Sequence, residues 1–342
     1  MKTSKILFSV MLTFLLYSCS EDNIYITPED TEGRVNVYIE GDITNEEAAA
    51  QLKAEVGTLT QNIYVQNTTN LTDLIINTVN DVSSLKITLN YNLKNITING
   101  KDENFIRTLE IFYNYKIKNT TINKIKKINT FYYASNFSDP TPQYDPIVIL
   151  SNDVQNIAEQ LTVNTVYGVP MNLSFPKLKT IGMEINQNNI FALSGQFLSI
   201  NLPLLEESIS LDISYTDIET LSLPSLKKIK YNLQSVYSSV IKNINLPKLE
   251  YCNEFHIWDN AANYPNGSNP NINIPMLNYC KFFKLGLTNS DVSKINGYLH
   301  QFLTIQPSSG KILDFEGENQ PTGQGLIDKQ TLIDQGNTVI FF

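Results

Sequence analysis

Cysteine, histidine and tryptophan are scarce in this chain, with three, two and one among 342 residues. Three cysteines rule out a disulfide-dense scaffold. The histidines, His256 and His300, stand far apart, and no Gly-x-Ser-x-Gly elbow, His-Glu-x-x-His helix or Cys-x-x-Cys pair occurs. Carboxylates such as Asp212, Asp217 and Glu254 are scattered, and spacing alone makes no two of them the facing pair that glycoside hydrolysis requires. No enzymatic activity, no metal and no cofactor is therefore expected. Lys and Arg number 25 against 34 Asp and Glu, a formal charge of −9. Nucleic-acid partners need basic patches, so none is expected. After residue 18 no apolar run is long enough to cross a bilayer as a helix.

What the chain does have is a repeated phrase, apolar-x-apolar-Pro-x-Leu. It reads Leu173-Ser174-Phe175-Pro176-Lys177-Leu178, Ile200-Asn201-Leu202-Pro203-Leu204-Leu205 and Leu221-Ser222-Leu223-Pro224-Ser225-Leu226. Two further copies are Ile244-Asn245-Leu246-Pro247-Lys248-Leu249 and Ile272-Asn273-Ile274-Pro275-Met276-Leu277. The prolines lie 27, 21, 23 and 28 residues apart, a period that signals a solenoid. Upstream, Ile63, Ile87 and Ile111 are each 24 apart, inside alternating segments rich in Ile, Thr and Tyr that predict strands with one face inward. Thr44 and Glu47 form a capping box ahead of Ala48-Ala49-Ala50, which predicts a helix over 44–56. Periodicity fades at 134–170, where Pro140, Pro142 and Pro146 predict an inserted loop or a domain boundary.

The first residues resemble an export signal. Lys2 and Lys5 precede an apolar run from Ile6 to Leu16, too short to span a bilayer. Leu16-Tyr17-Ser18-Cys19 resembles the lipobox of bacterial lipoproteins, although Tyr17 is larger than the usual occupant. The resemblance implies that Cys19 is lipidated and becomes the first mature residue. Ser20-Glu21-Asp22 resembles the acidic signal that sends Bacteroidetes lipoproteins to the outer face of the outer membrane. More than one acyl chain makes a stable anchor where a single chain is marginal. Residues 23–36 read as a polar tether.

Together the phrases and the helix resemble the leucine-rich-repeat and receptor-L-domain-like surface lipoproteins of Bacteroidetes. The resemblance implies a β-rich solenoid, a right-handed leucine-rich-repeat-like stack of about ten coils with a parallel sheet, an N-terminal capping helix and a C-terminal cap. The expected order is signal peptide 1–18, lipidated tether 19–36, solenoid 37–305 and capping module 306–342. The closing segment, from Ile312-Leu313-Asp314-Phe315 to Thr338-Val339, resembles the end module of such proteins, and an open stack needs covering. The family implies adhesion or ligand binding outside the cell, to a protein or a glycan, with membrane contact through the lipid alone.

Strand alternation after each proline predicts which side chains face outward. Aligning the segments gives a row of Glu184, Asp212, Asn232, His256 and Lys284, with Ser210, Ser214, Glu254, Trp258 and Phe282 beside it. Trp258 either meets a ligand, as an exposed tryptophan suits, or covers the adjacent loop Asp259–Asn271. His256 reads more readily as a solvated surface histidine than as a ligand contact. Cys252 and Cys280 each follow a repeat proline by five residues, so they occupy one slot in neighbouring layers. Side chains in such a slot run parallel, which favours buried free thiols over a disulfide. Asp314, Glu316 and Glu318 alternate and offer oxygens to calcium, without the EF-hand spacing. Asn-x-Thr triplets begin at Asn70, Asn95 and Asn119 and read as turns rather than glycosylation sites.

Overall fold

A computed structural model describes residues 32–136, 145–165, 169–183, 190–238, 240–258, 270–286 and 290–341. Cys19, the export signal and Glu184 lie outside the described residues. The protein is β-rich and solenoid-like. Nineteen strands form one large sheet, three more form a second, and three helices complete the described residues.

Parallel strands stack side by side along a long face. They run from Asn36–Gly41 through Asn62–Thr68 and Val82–Thr88 to the later parts of Asn95–Phe112 and Asn119–Asn136. Asn156–Thr165, Ile190–Ser194, Leu211–Asp212 and Lys228–Val236 continue the face. Tyr251–Trp258, Phe282–Gly286, Ile312–Asp314 and Thr338–Ile340 end it. Between these strands the chain returns on the opposite face. The return segments are Asp73–Asn77, the early parts of the two long strands, Ile147–Ser151, Met171–Ser174 and Phe197–Asn201. A separate sheet of Thr220–Ser222, Asn243–Asn245 and Asn271–Asn273 follows. At the two ends the return is helical instead: Asn45–Glu55 near the start, then Val292–Phe302 and Gln324–Asp334.

The core is the space between the two faces. Most long-face strands send two apolar side chains into it, as with Ile63 and Val65, Leu109 and Ile111, or Phe255 and Ile257. Return strands answer with Leu74, Ile76, Ile96 and Ile98. Phe131 meets Phe175 across the interior, 5.9 Å between ring centroids. Burying each such side chain contributes about 1.5–3 kcal/mol, offset by the entropy of ordering it.

The proline phrase is a corner. Leu178, Leu205, Leu226, Leu249 and Leu277 each donate an N–H to the carbonyl three residues earlier, at 3.1–3.3 Å. Proline thereby occupies the second position of a tight turn, where its fixed φ is already correct. The leucine that follows is buried and the chain enters the long face.

The opposite corner carries a row of buried polar side chains. Asn90 Nδ2 donates to Asn114 Oδ1 at 2.8 Å, and Asn114 Nδ2 donates to Asn136 Oδ1 at 3.0 Å. Each also donates to a carbonyl of the preceding layer: Val65 for Asn90, Ile87 for Asn114 and Ile111 for Asn136. Buried amides are tolerated because both ends are satisfied. Downstream, hydroxyls replace the amides: Thr216 Oγ1 and Ser238 Oγ both donate to the Ile213 carbonyl, at 2.7 and 2.8 Å. The residue before Asn90, Asn114, Thr216 and Ser238 is left-handed without being glycine: Leu89, Tyr113, Tyr215 and Tyr237 have φ of 55–58°.

Several expectations change. The region read as an insertion holds strands Ile147–Ser151 and Asn156–Thr165, which pair on both sides and carry the ladder through. Pro146 stands just before a strand, where a missing N–H is harmless. Segments 312–314 and 338–340, read as part of the capping module over 306–342, add strands to the same long face, because Leu313 continues its inward alternation. Asn95 and Asn119 lie in return strands, not turns. Helix Val292–Phe302 was not anticipated, yet Ile295, Tyr298, Leu299 and Phe302 have helical spacing, and Asp291 caps it by accepting the Ser293 N–H at 2.8 Å. The helix over 45–55 has the expected capping box at Thr44 and Glu47.

Candidate functional site

The outer surface of the long face is continuous and in register. Its central row runs Tyr38, Tyr64, Lys86, Glu110, Tyr132, Thr162, Ala192, Asp212, Gln234, His256, Lys284, Asp314 and Ile340. Three of the residues picked out from sequence, Asp212, His256 and Lys284, share this row. Asn232 does not. One extra residue between Ile229 and Asn232 makes a bulge against Cys252 and Glu254, so Asn232 pairs with Glu254 and Gln234 takes the row position. Ser214, expected to face outward, is buried and accepts the Val236 N–H at 3.2 Å, because the strand ends at Asp212 and the chain turns at Tyr215.

Charges converge at the late end of the row. Lys284 Nζ lies 2.9 Å from Asp314 Oδ2 and 3.4 Å from Glu316 Oε2. The hydrogen bond to Asp314 holds the Lys284 pKa above its ordinary value. His256 Nε2 lies 3.4 Å from Glu254 Oε2. Burial pushes the His256 pKa down, more than Glu254 raises it, so the imidazole is neutral near pH 7. Its Nε2 is buried without a hydrogen-bond partner among the described residues. Phe282 packs at 4.7 Å from the His256 ring. Asp212 turns its own loop, with Oδ1 accepting the Ser214 N–H at 2.8 Å.

Trp258 is 40% exposed and flanked on both sides. Tyr237 lies on one side, 5.9 Å between centroids, and Tyr215 stacks on Tyr237 at 5.2 Å. On the other side Lys284 Nζ is 5.6 Å from the ring, and the backbone of Gly286 is so close that a Cβ there would sit 2.5 Å from Trp258 Cδ1. Tyr215 and Tyr237 were missed in the sequence. Their signal was the 22-residue recurrence of a tyrosine followed by a hydroxyl residue, Tyr215-Thr216 and Tyr237-Ser238, at a strand end.

The alternating carboxylates diverge. Asp314 and Glu316 hold Lys284, whereas Glu318 Oε2 accepts the Ser290 N–H at 2.7 Å. Among the described residues no group of His, Cys, Asp and Glu is arranged to hold a metal ion. Cys252 and Cys280 are free and buried, and desolvation pushes the Cys252 thiol up to about 12 and Cys280 in the same direction. They fill core space and are not poised to react.

Fold and surface together define a β-rich, parallel, solenoid-like protein with a long ordered outer face. Comparison with family models, with curated proteins and with solved structures finds no match.

Proposed function

We propose that this protein is a lipid-anchored, cell-surface binding protein that holds a protein partner across the exposed long face. In this reading it is a right-handed, leucine-rich-repeat-like stack of about ten coils, with the helix over 45–55 covering one end and the last two helices the other. Cys19 carries the lipid, and Ser20-Glu21-Asp22 directs export to the outer face of the outer membrane. The long face supports the binding role most directly: its in-register row runs without a break from Tyr38 to Ile340. Such a surface suits many modest contacts spread over several layers. No reaction is assigned to it.

Two observations favour a protein partner over a glycan. Trp258 is already flanked by Tyr237, Lys284 and Gly286, so its ring faces are poorly available for stacking on a sugar. Around it, Asp212, Glu254, Asp314 and Glu316 outnumber Lys284, which suits a partner bearing basic side chains.

Protease treatment of intact cells tests the placement. Loss of the protein without lysis supports it; survival until lysis would shift the reading to a periplasmic envelope role. Cys19→Ala should release the chain from the membrane fraction, and a variant still found there would sink the lipid anchor. Trp258 is the sole tryptophan, so its emission reports occupancy of the patch when basic peptides are titrated in.

A further inference from the structure

Charge is spread unevenly along this chain. Residues 94–127 hold eight of its 25 Lys and Arg but only three of its 34 Asp and Glu, so this stretch is basic in a molecule of net charge −9. Part of that charge gathers at the corner where return strands give way to the long face. There a hollow of about 300 Å³ is lined by Glu103, Lys124, Lys126, Asp153, Gln155 and Lys177, all polar or charged and drawn from successive layers. Two of the three lysines are matched: Lys126 Nζ pairs with Glu103, and Lys177 Nζ lies 2.7 Å from Asp153 Oδ1. The second Asp153 oxygen accepts the Lys124 N–H at 2.8 Å. The Lys124 ammonium has no hydrogen bond or ion pair among the described residues. The lining therefore carries one positive charge in excess, on an exposed side chain.

A ladder of amides leads up to the hollow. Asn99, Asn123 and Asn152 stand immediately before Gly100, Lys124 and Asp153. Asn123 Nδ2 donates to Asn99 Oδ1 at 3.0 Å, and Asn152 Nδ2 donates to Asn123 Oδ1 at 2.8 Å. A primary amide has two N–H groups and two oxygen lone pairs. Within the ladder Asn123 uses one of each, which leaves one donor and one acceptor for water or a ligand.

We propose that this corner binds an acidic saccharide: Lys124 holds its carboxylate or sulfate in the hollow, and Asn99, Asn123 and Asn152 bond its hydroxyls. The ammonium gives a charge-assisted hydrogen bond, the stronger kind, to the acid group. Amides that both donate and accept suit hydroxyls, which do the same. An acidic peptide would bring the carboxylates with few hydroxyls, and would leave the ladder unmatched. The site lies off the row from Tyr38 to Ile340 and does not rest on the binding proposed for that face.

Calorimetric titration of the full chain in detergent tests the site, with oligogalacturonate and chondroitin sulfate oligosaccharides as probes. Methyl-esterified oligogalacturonate and poly-glutamate are the controls, one without the acid group and one without the hydroxyls. Binding of either acidic saccharide, weakened by salt and absent with both controls, supports the proposal. Lys124→Asn removes the charge, and asparagine tolerates the left-handed backbone at this position, where φ is 54°. That variant should lose about tenfold in affinity, the worth of one charge-assisted hydrogen bond. Asn123→Ala should lose about threefold, as for a neutral bond. Failure of both acidic saccharides to bind, equal binding of poly-glutamate, or unchanged affinity in Lys124→Asn would overturn it.

Discussion

Two asparagine ladders climb this molecule, and the same side chain has opposite value in each. At the corner after the long face, Asn90, Asn114 and Asn136 are buried, and their amides bridge layers while satisfying carbonyls of the layer before. On the return face, Asn77, Asn99, Asn123 and Asn152 also bond in sequence, at 2.8–3.0 Å, but largely in water. A hydrogen bond in water replaces one already made to water and nets little. In the core, losing one partner strands the others at their full desolvation cost. Chemistry and spacing are shared, so burial alone makes the difference.

The sharpest way to break the comparison is Asn114→Ala. It takes the acceptor from the Asn90 N–H and from one of the two Asn90 Nδ2 protons, the other staying on the Val65 carbonyl, removes a donor from the Ile87 carbonyl, and should cost about 2–3 kcal/mol in denaturant unfolding. A loss below about 0.5 kcal/mol would mean that the corner relaxes and the ladder is not structural.

Lys284 and Asp314 form an intermediate case, with side chains 22% and 12% exposed. Lys284→Met leaves Asp314 half-desolvated beside Glu316 and should cost about 1–2 kcal/mol, between surface and buried pairs. The double variant with Asp314→Asn should recover much of that loss; no recovery would remove the pair from the account.

His256 gives a smaller effect with a definite sign. Its folded pKa lies below the unfolded value because burial disfavours the charged ring. Stability from this residue is therefore complete above the unfolded pKa of 6.5 and declines as pH falls toward the folded one. His256→Gln should flatten that part of the stability–pH curve, and an unchanged slope there would contradict the assignment. Asn99→Ala, the exposed counterpart of Asn114→Ala, should cost at most about 0.5 kcal/mol. Equal losses at the two sites would overturn the comparison.

Much of the fold was legible because it depends on local rules repeated many times. The proline phrase marks a corner since proline suits one turn position, and the capping box at Thr44 and Glu47 announces its helix. Alternation identified which of Phe255, His256, Ile257 and Trp258 face inward, and placed Cys252 and Cys280 in one buried slot. The candidate surface was legible only in part. Asp212, His256 and Lys284 were aligned correctly, but a single bulged residue moved Asn232 out of the row and Gln234 into it. A bulge leaves no mark in the composition of its strand. The reading of an insertion at 134–170 failed in part for a similar reason: Pro146 stands beside the strand Ile147–Ser151, and in sequence it resembles a proline that interrupts one, while Pro140 and Pro142 lie outside the described residues.

By itself the sequence determined the period, the inward and outward faces of the later strands, the corners and the first helix. Each is set by residues within one turn of chain. Only the tertiary structure decided what a polar side chain is worth and which side chains meet. Asn90 and Asn99 have similar neighbours in sequence, yet one is sealed under the next layer and the other is not. Likewise, Leu89, Tyr113, Tyr215 and Tyr237 hold left-handed backbone that their own side chains disfavour, at about 1–3 kcal/mol each. Contacts made by the layers above and below fix that conformation, and the residue's own preferences do not encode them.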